Sequence, residues 1–265
     1  MKLPEGWTAE TVRANGVDLQ CYRTGEGPPI LLAHGLYDNG RRWAPLAADL
    51  RDDYEVVTYD ARAHGHSAAP KSGYGIEDRV ADLRGVVESL DLADPILLGH
   101  SMGGATAAWT AAEHPDPPRG LVLVDPAGMH DEPDMDPDAR AGVVRERLDR
   151  AAEKTVAELI EEHYADVGPE HARRLATAAH ECRPQIAEIA REGYPAPLTT
   201  VFGDITCRTL VLRRDADLER RVRDADAAGD LRDGRLVHVP GAGHYVFQDG
   251  YDAAYAELQT FLRRL

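Results

Sequence analysis

The sequence predicts an α/β protein, a mostly parallel sheet flanked by helices with an inserted helical cap, and three observations carry that reading. Short apolar runs alternate with longer amphipathic segments along most of the chain, the rhythm of buried parallel strands covered by helices. One central stretch, about 127–202, breaks the rhythm and offers helices only. Three glycine-containing turns, each directly behind an apolar run, carry histidine or serine.

The elements follow in order. Segments 10–14 and 17–22 form a hairpin around Asn15-Gly16, a dipeptide that tolerates positive φ at both central positions of a tight turn. Strand-like runs then occur at 30–33, 55–59, 96–98, 121–124, 209–212 and 235–239. Helical spacing appears at 76–90 through Val80, Leu83, Val86, Val87 and Leu90, and at 251–265 through Tyr255, Leu258, Phe261 and Leu262. The central stretch begins with an acidic, proline-rich run at 130–138 and continues in helix-like pieces at 140–152, 155–164, 170–180 and 184–191. Tyr194-Pro195-Ala196-Pro197 reads as its exit hinge. This divides the chain into a core of 1–126 and 203–265 and a cap of 127–202, which would roof the carboxyl ends of the strands where open α/β sheets bind ligands.

The turn Gly99-His100-Ser101-Met102-Gly103 follows the run 95–98 and precedes the small-residue segment 104–109. A G-x-S-x-G between a buried strand and a helix forces its serine onto a sharp, strained turn where larger flanking side chains would clash, with the hydroxyl exposed above the sheet. Ser101 is therefore the candidate nucleophile. A serine hydroxyl needs a base within hydrogen-bond reach, itself oriented by a carboxylate. His244, in Pro240-Gly241-Ala242-Gly243-His244, follows the last strand, and Asp217 follows the preceding one. Ser101, Asp217, His244 is thus the preferred triad. Asp125, in Leu123-Val124-Asp125-Pro126, also ends a strand and is the alternative acid, with Asp215 entering if the turn register is shifted. His34 and His100 flank functional turns and read as structural hydrogen-bonders, while His238 lies in a strand. The backbone N–H groups of Leu36, after His34-Gly35, and Met102, after the nucleophile, are the candidate oxyanion hole.

Acidic residues outnumber basic ones by 46 to 30 in 265 residues, a formal charge of −16, which argues against nucleic acid and anionic membrane surfaces as partners. Only Lys2, Lys71 and Lys154 are lysines, and phenylalanine is limited to Phe202, Phe247 and Phe261. That balance resembles proteins of salt-loving archaea, with high-GC codon usage as the competing account. Residues 1–7 lack the apolar stretch of a signal peptide, and no segment is long enough to span a bilayer, so a cytoplasmic location is expected. Cys21, Cys182 and Cys207 show no disulfide or zinc spacing and are expected to be reduced. The His64 and His66 pair and the cluster Asp131, Glu132, Asp134, Asp136 and Asp138 read as a structured turn and a solvated loop, so neither metal nor organic cofactor is implied.

Taken together, His34-Gly35-Leu36, the segment 60–67 (Asp60-Ala61-Arg62-Ala63-His64-Gly65-His66-Ser67), Gly99 to Gly103 and Gly241 to His244 resemble, in order and spacing, the signposts of the α/β-hydrolase superfamily. The resemblance covers almost the whole chain and points to the serine-nucleophile branch that holds esterases, lactonases, cofactor-free haloperoxidases and meta-cleavage-product hydrolases. Two departures stand out: Ala63 replaces a usual glycine, and Arg214 replaces the usual glycine ahead of the acid. What the resemblance implies is an α/β-hydrolase fold and a cofactor-independent serine hydrolase acting on a small or medium carboxylic ester or lactone. The alternatives are a carbon-carbon hydrolase, for which Arg183 or Arg191 would have to bind a substrate carboxylate and Tyr245 stands where tryptophan is common, and a receptor-like slow hydrolase that binds a small molecule under its lid.

Overall fold

Asn15 and Gly16, with φ of 46° and 73°, turn β1 (Thr8–Ala14) back along β2 (Val17–Thr24). The computed structural model describes residues 3–113, 116, 118–130 and 135–265. The chain continues through β3 (Pro29–Ala33), α1 (Ala44–Leu50), β4 (Glu55–Tyr59), α2 (Ile76–Ser89), β5 (Ile96–His100), α3 (Met102–Glu113) and β6 (Gly120–Val124). Four helices follow before the next strand: α4 (Pro137–Ala152), α5 (Val156–His163), α6 (Pro169–Glu181) and α7 (Ile186–Glu192). The last part comprises β7 (Thr209–Arg213), α8 (Leu218–Ala228), β8 (Gly234–His238), α9 (Val246–Asp249) and α10 (Tyr251–Leu262).

The eight strands form one sheet in the order β1-β2-β4-β3-β5-β6-β7-β8, antiparallel at β1-β2-β4 and parallel beyond. Alternate residues of the central strands face opposite layers, which is why those strands are apolar throughout. Leu31, Leu97, Leu123 and Val211 pack toward α2 and α3, and Ile30, Leu98, Val122 and Leu210 toward α1 and α10. Burying each such side chain stabilises the fold by roughly 1.5–3 kcal/mol relative to exposure. The helix α3 owes its small residues to proximity: a Cβ on Gly103 would fall 2.4 Å from the carbonyl oxygen of Ala33.

Parallel register aligns the strand ends. Ala33 pairs with Gly99, Gly99 with Leu123, and Val124 with Leu212. The residues just beyond, His34, Ser101, Asp125 and Arg213, therefore stand near one edge of the sheet. The helices α4 to α7 occupy the connection between β6 and β7. Asp136 caps α4 by accepting from the N–H groups of Asp138 and Ala139, and Thr155 with Glu158 forms a capping box on α5. Entry and exit of this helical stretch are tied together by the Leu198 N–H donating to the Gly128 carbonyl at 2.6 Å. The Glu181 carboxylate fastens it to the core through Asn39 and Arg41. Among the described residues no helix is long and apolar enough to cross a membrane, and the three cysteines are unpaired.

Candidate active site

Ser101 sits between β5 and α3 with φ of 51°, a left-handed conformation that few residues other than glycine adopt. Its backbone holds that turn in place: the Ser101 N–H donates to Val124, and its carbonyl accepts from Ala105 and Ala127. The loop after β3 comes close from the other side, since a Cβ on Gly35 would lie 2.9 Å from His100 Nδ1 and 3.3 Å from Ser101 Cβ. Only glycine lets that loop reach the serine. Among the described residues the Leu36 and Met102 N–H groups have no protein acceptor.

His244 donates from Nδ1 to Asp125 Oδ2 at 2.6 Å. A carboxylate can only accept, so the proton lies on Nδ1 and the Nε2 lone pair is left to serve as base. The preferred acid of the sequence reading, Asp217, is elsewhere. It is exposed, four residues past the end of β7, and caps α8 by accepting from the Arg220 N–H at 2.9 Å. The reason is local: the first N–H groups of α8 need an acceptor, and Asp217 is placed to satisfy them. Asp125, the alternative, follows β6 directly with φ of 40° and is buried. Asp215 has a third task. Its Oδ2 accepts from the Gly241 N–H at 2.8 Å and its own N–H donates to Ala242, so it anchors the loop that presents His244.

Asp125 is also held by cations. Arg213, almost fully buried, donates to Asp125 Oδ1 at 2.6 Å and reaches Asp224 on α8 at 3.0 Å; Arg214 Nε lies 3.1 Å from Asp125 Oδ2, the oxygen that His244 uses. Burial opposes ionisation of Asp125, but the His244 hydrogen bond and the charges of Arg213 and Arg214 outweigh it and hold the carboxyl below its ordinary pKa. Asp224 collects His130 and His238 as well, and its pKa is likewise lowered against the cost of burial.

Two further histidines support the loops. His34 accepts the Ala61 N–H at Nε2, so its Nδ1–H donates to the Gly35 carbonyl at 2.8 Å and fixes the loop that carries Leu36. His100 receives Arg42 Nη1 at Nδ1 (3.1 Å), so its Nε2–H donates to the His244 carbonyl at 2.9 Å. Burial lowers the pKa of both rings well below the ordinary value, which keeps them neutral in these roles. Arg42 pairs with the buried Asp38 and also lines a cavity of about 740 Å³, bordered by Trp43, Tyr164, His171 and Gln248.

Of the residues weighed for metal binding, His64 is buried with Nδ1 on the Arg62 carbonyl and Nε2 without a partner, His66 lies 3.8 Å from Glu181, Asp136 caps α4, and Asp138 pairs with Arg191. Asp131, Glu132 and Asp134 lie outside the described residues. The sequence reading missed Arg42 and Arg213. A usable signal existed for Arg213 alone, an arginine ending an otherwise apolar strand.

Comparisons with known proteins bear out the fold and the family. The family model for the alpha/beta hydrolase fold matches residues 28–210. The chain belongs to that family and is an enzyme. Among the most similar curated relatives is the 2-(acetamidomethylene)succinate hydrolase of Mesorhizobium japonicum, 28% identical over 258 residues, covering 93% of this chain and 92% of the relative. Similar solved structures include an E-2-(acetamidomethylene)succinate hydrolase (TM-score 0.81, 24% identity, 97% of this chain and 99% of that one). An enol-lactonase from Burkholderia xenovorans LB400 superposes with TM-score 0.78 at 25% identity, over 96% of this chain and all of the other (100%).

Proposed function

We propose that this hydrolase is a cofactor-independent serine enzyme that cleaves a small or medium carboxylic ester or lactone through an acyl-enzyme at Ser101. The observation that carries the reading is the 2.6 Å contact of His244 Nδ1 with Asp125 Oδ2, at the same sheet edge as the strained Ser101 turn. The steps follow from the donors and acceptors. His244 Nε2 removes the Ser101 Oγ proton as Oγ bonds to the carbonyl carbon, and the carbonyl oxygen takes the negative charge opposite the Leu36 and Met102 N–H groups. Collapse breaks the bond to the leaving oxygen, which receives the proton from His244. Water, deprotonated by the same imidazole, then releases the acid and restores Ser101. Asp125 keeps the imidazole in its Nδ1–H tautomer and stabilises the imidazolium. The segment 127–202 acts as the lid over this chemistry, and names such as enol-lactonase among the similar proteins suit a small carboxylic acid derivative as substrate.

The test is covalent. A fluorophosphonate probe is expected to label the wild type at Ser101 and to leave Ser101→Ala unlabelled, with kcat for a short-chain ester falling by about 10⁴ to 10⁶ in that variant. Retention of a tenth of the wild-type activity by folded Ser101→Ala would remove the reading.

A further inference from the structure

The helix α4 carries four arginines, and three bond to carboxylates or backbone carbonyls. Arg140 donates to the carbonyl oxygens of Ala190 and Arg191, Arg145 pairs with Glu188, and Arg150 with Glu146. Arg147 pairs with no carboxylate among the described residues, in a chain with 46 acidic residues. Its guanidinium carbon instead lies 4.0 Å from the centroid of the Tyr37 ring, and its charge is felt at the Tyr245 hydroxyl.

Those two tyrosines give the contact its meaning. Tyr37 directly follows Leu36, a candidate oxyanion donor, and Tyr245 directly follows His244. Tyr37 is held at φ of 68°, so its ring is presented from a strained turn beside the loop that approaches Ser101. Arg147 thus reaches from the helical segment to both sides of the catalytic edge. The carboxylate whose field it feels, Asp38, is buried and paired with Arg42, which leaves the positive charge of Arg147 uncompensated. Of the arginines weighed from sequence, Arg191 is less suited, being paired with Asp138 and Glu188.

We infer that Arg147, with the Tyr245 hydroxyl beside it, anchors a free carboxylate of the substrate, so that the substrate class is an ester or lactone bearing a second, unreacting carboxylate. The inference rests on the acyl-enzyme reading above. Stacking on Tyr37 fixes the plane of the guanidinium while leaving its N–H edge open, and that edge matches two carboxylate oxygens. An ammonium in the same place would supply charge without the fork. Because Arg147 belongs to α4 and Ser101 to the turn between β5 and α3, such an anchor also ties substrate binding to the position of the helical segment.

The test compares substrates that share one reacting ester and differ in charge: monomethyl glutarate against dimethyl glutarate, with the adipate pair to vary the reach. The wild type is expected to favour the half ester, and in Arg147→Gln the ratio of kcat/KM for half ester over diester is expected to fall about 10- to 100-fold, mostly through KM. Arg147→Lys, a second variant that keeps the charge, should recover part of the ratio. A wild type that hydrolyses the diester with no preference for either half ester overturns the anchor alone. So does an unchanged ratio in Arg147→Gln, including the case where both esters slow by one factor, as a purely structural staple would cause. Absence of turnover on every ester together with absence of fluorophosphonate labelling instead brings down the acyl-enzyme reading, and the anchor with it.

Discussion

Strands β6 and β7 lie side by side in the sheet, and each is followed by aspartates, yet the two ends are built for different work. Beyond β6 a single buried carboxylate, Asp125, stands at the sheet edge with positive φ and shares its oxygens among His244, Arg213 and Arg214. Beyond β7 the acids are exposed and serve the backbone: Asp217 caps α8 and Asp215 fastens the loop that carries His244. The end of β7 itself places Arg213 inward, where it compensates the charge that β6 supplies. The contrast shows that a carboxylate in reach by chain order orients an imidazole only if the backbone beside it needs no acceptor. At β7 the start of a helix takes the oxygen first.

The sharpest way to break this comparison is to neutralise the two acids in turn. Asp125→Asn is expected to lower kcat by about 10⁴, because an amide no longer enforces the Nδ1–H tautomer or stabilises the imidazolium. Asp217→Ala should leave kcat within about tenfold of wild type and instead cost about 1 kcal/mol of stability, as the loss of a helix cap does. Steady-state kinetics on folded protein, with thermal melts alongside, decide the matter. The reverse order of severity would return the role of acid to the β7 end.

The same two strand ends show what could be read from the sequence. All strands were legible to within a few residues, the central ones because strands buried on both faces appear as apolar runs and β1 and β2 because Asn15-Gly16 marks their turn; β5 extends further than its run because Gly99 and His100 hydrogen-bond in the ladder without adding apolar signal. The turns that carry Ser101, His244, Leu36 and Met102 were legible as turns, because they impose glycines at fixed offsets. Asp125 was named only as an alternative. What distinguishes it is the pairing of Val124 with Leu212, which sets Asp125 beside Arg213, and that register joins segments 88 residues apart through a contact no local pattern encodes. Arg147 was illegible for a related reason. An arginine on the polar side of an amphipathic helix looks like any solvated one until the packing shows which has Tyr37 beneath it.

A smaller effect sharpens the comparison by testing the cations rather than the acids. Protonation of the His244–Asp125 pair adds positive charge next to Arg214, so Arg214 opposes it and its removal favours it. Arg214→Gln should therefore move the acidic limb of the kcat/KM profile to higher pH, as Asp125 loses part of the field that lowers its pKa. Because the Arg214 side chain is 47% exposed, solvent screening keeps the shift small. Arg221→Gln, which unpairs Asp215 on the β7 side, should leave the limb where it is. Equal shifts in both variants would mean that the profile reports the net charge of the protein and not the fields at the β6 end.

Salt supplies the smallest and most general contrast, because counterions reach the exposed acids around β7 and not the buried pair at β6. Screening shortens from about 10 Å at 0.1 M to about 3 Å at 1 M, so repulsion among surface carboxylates in a chain of formal charge −16 should weaken over that range. The melting temperature is expected to rise between about 0.1 M and 2 M KCl. Over the same series the ratio of wild-type to Asp125→Asn kcat should change by less than about twofold, since no ion of the bulk enters between His244 Nδ1 and Asp125 Oδ2. Gain that continues above about 1 M would exceed what screening supplies and would point to strengthened apolar burial by salt exclusion. A melting temperature that stays flat or falls would show that the excess of acid does not strain the fold, and would leave codon composition as the account of the arginine-rich, lysine-poor balance.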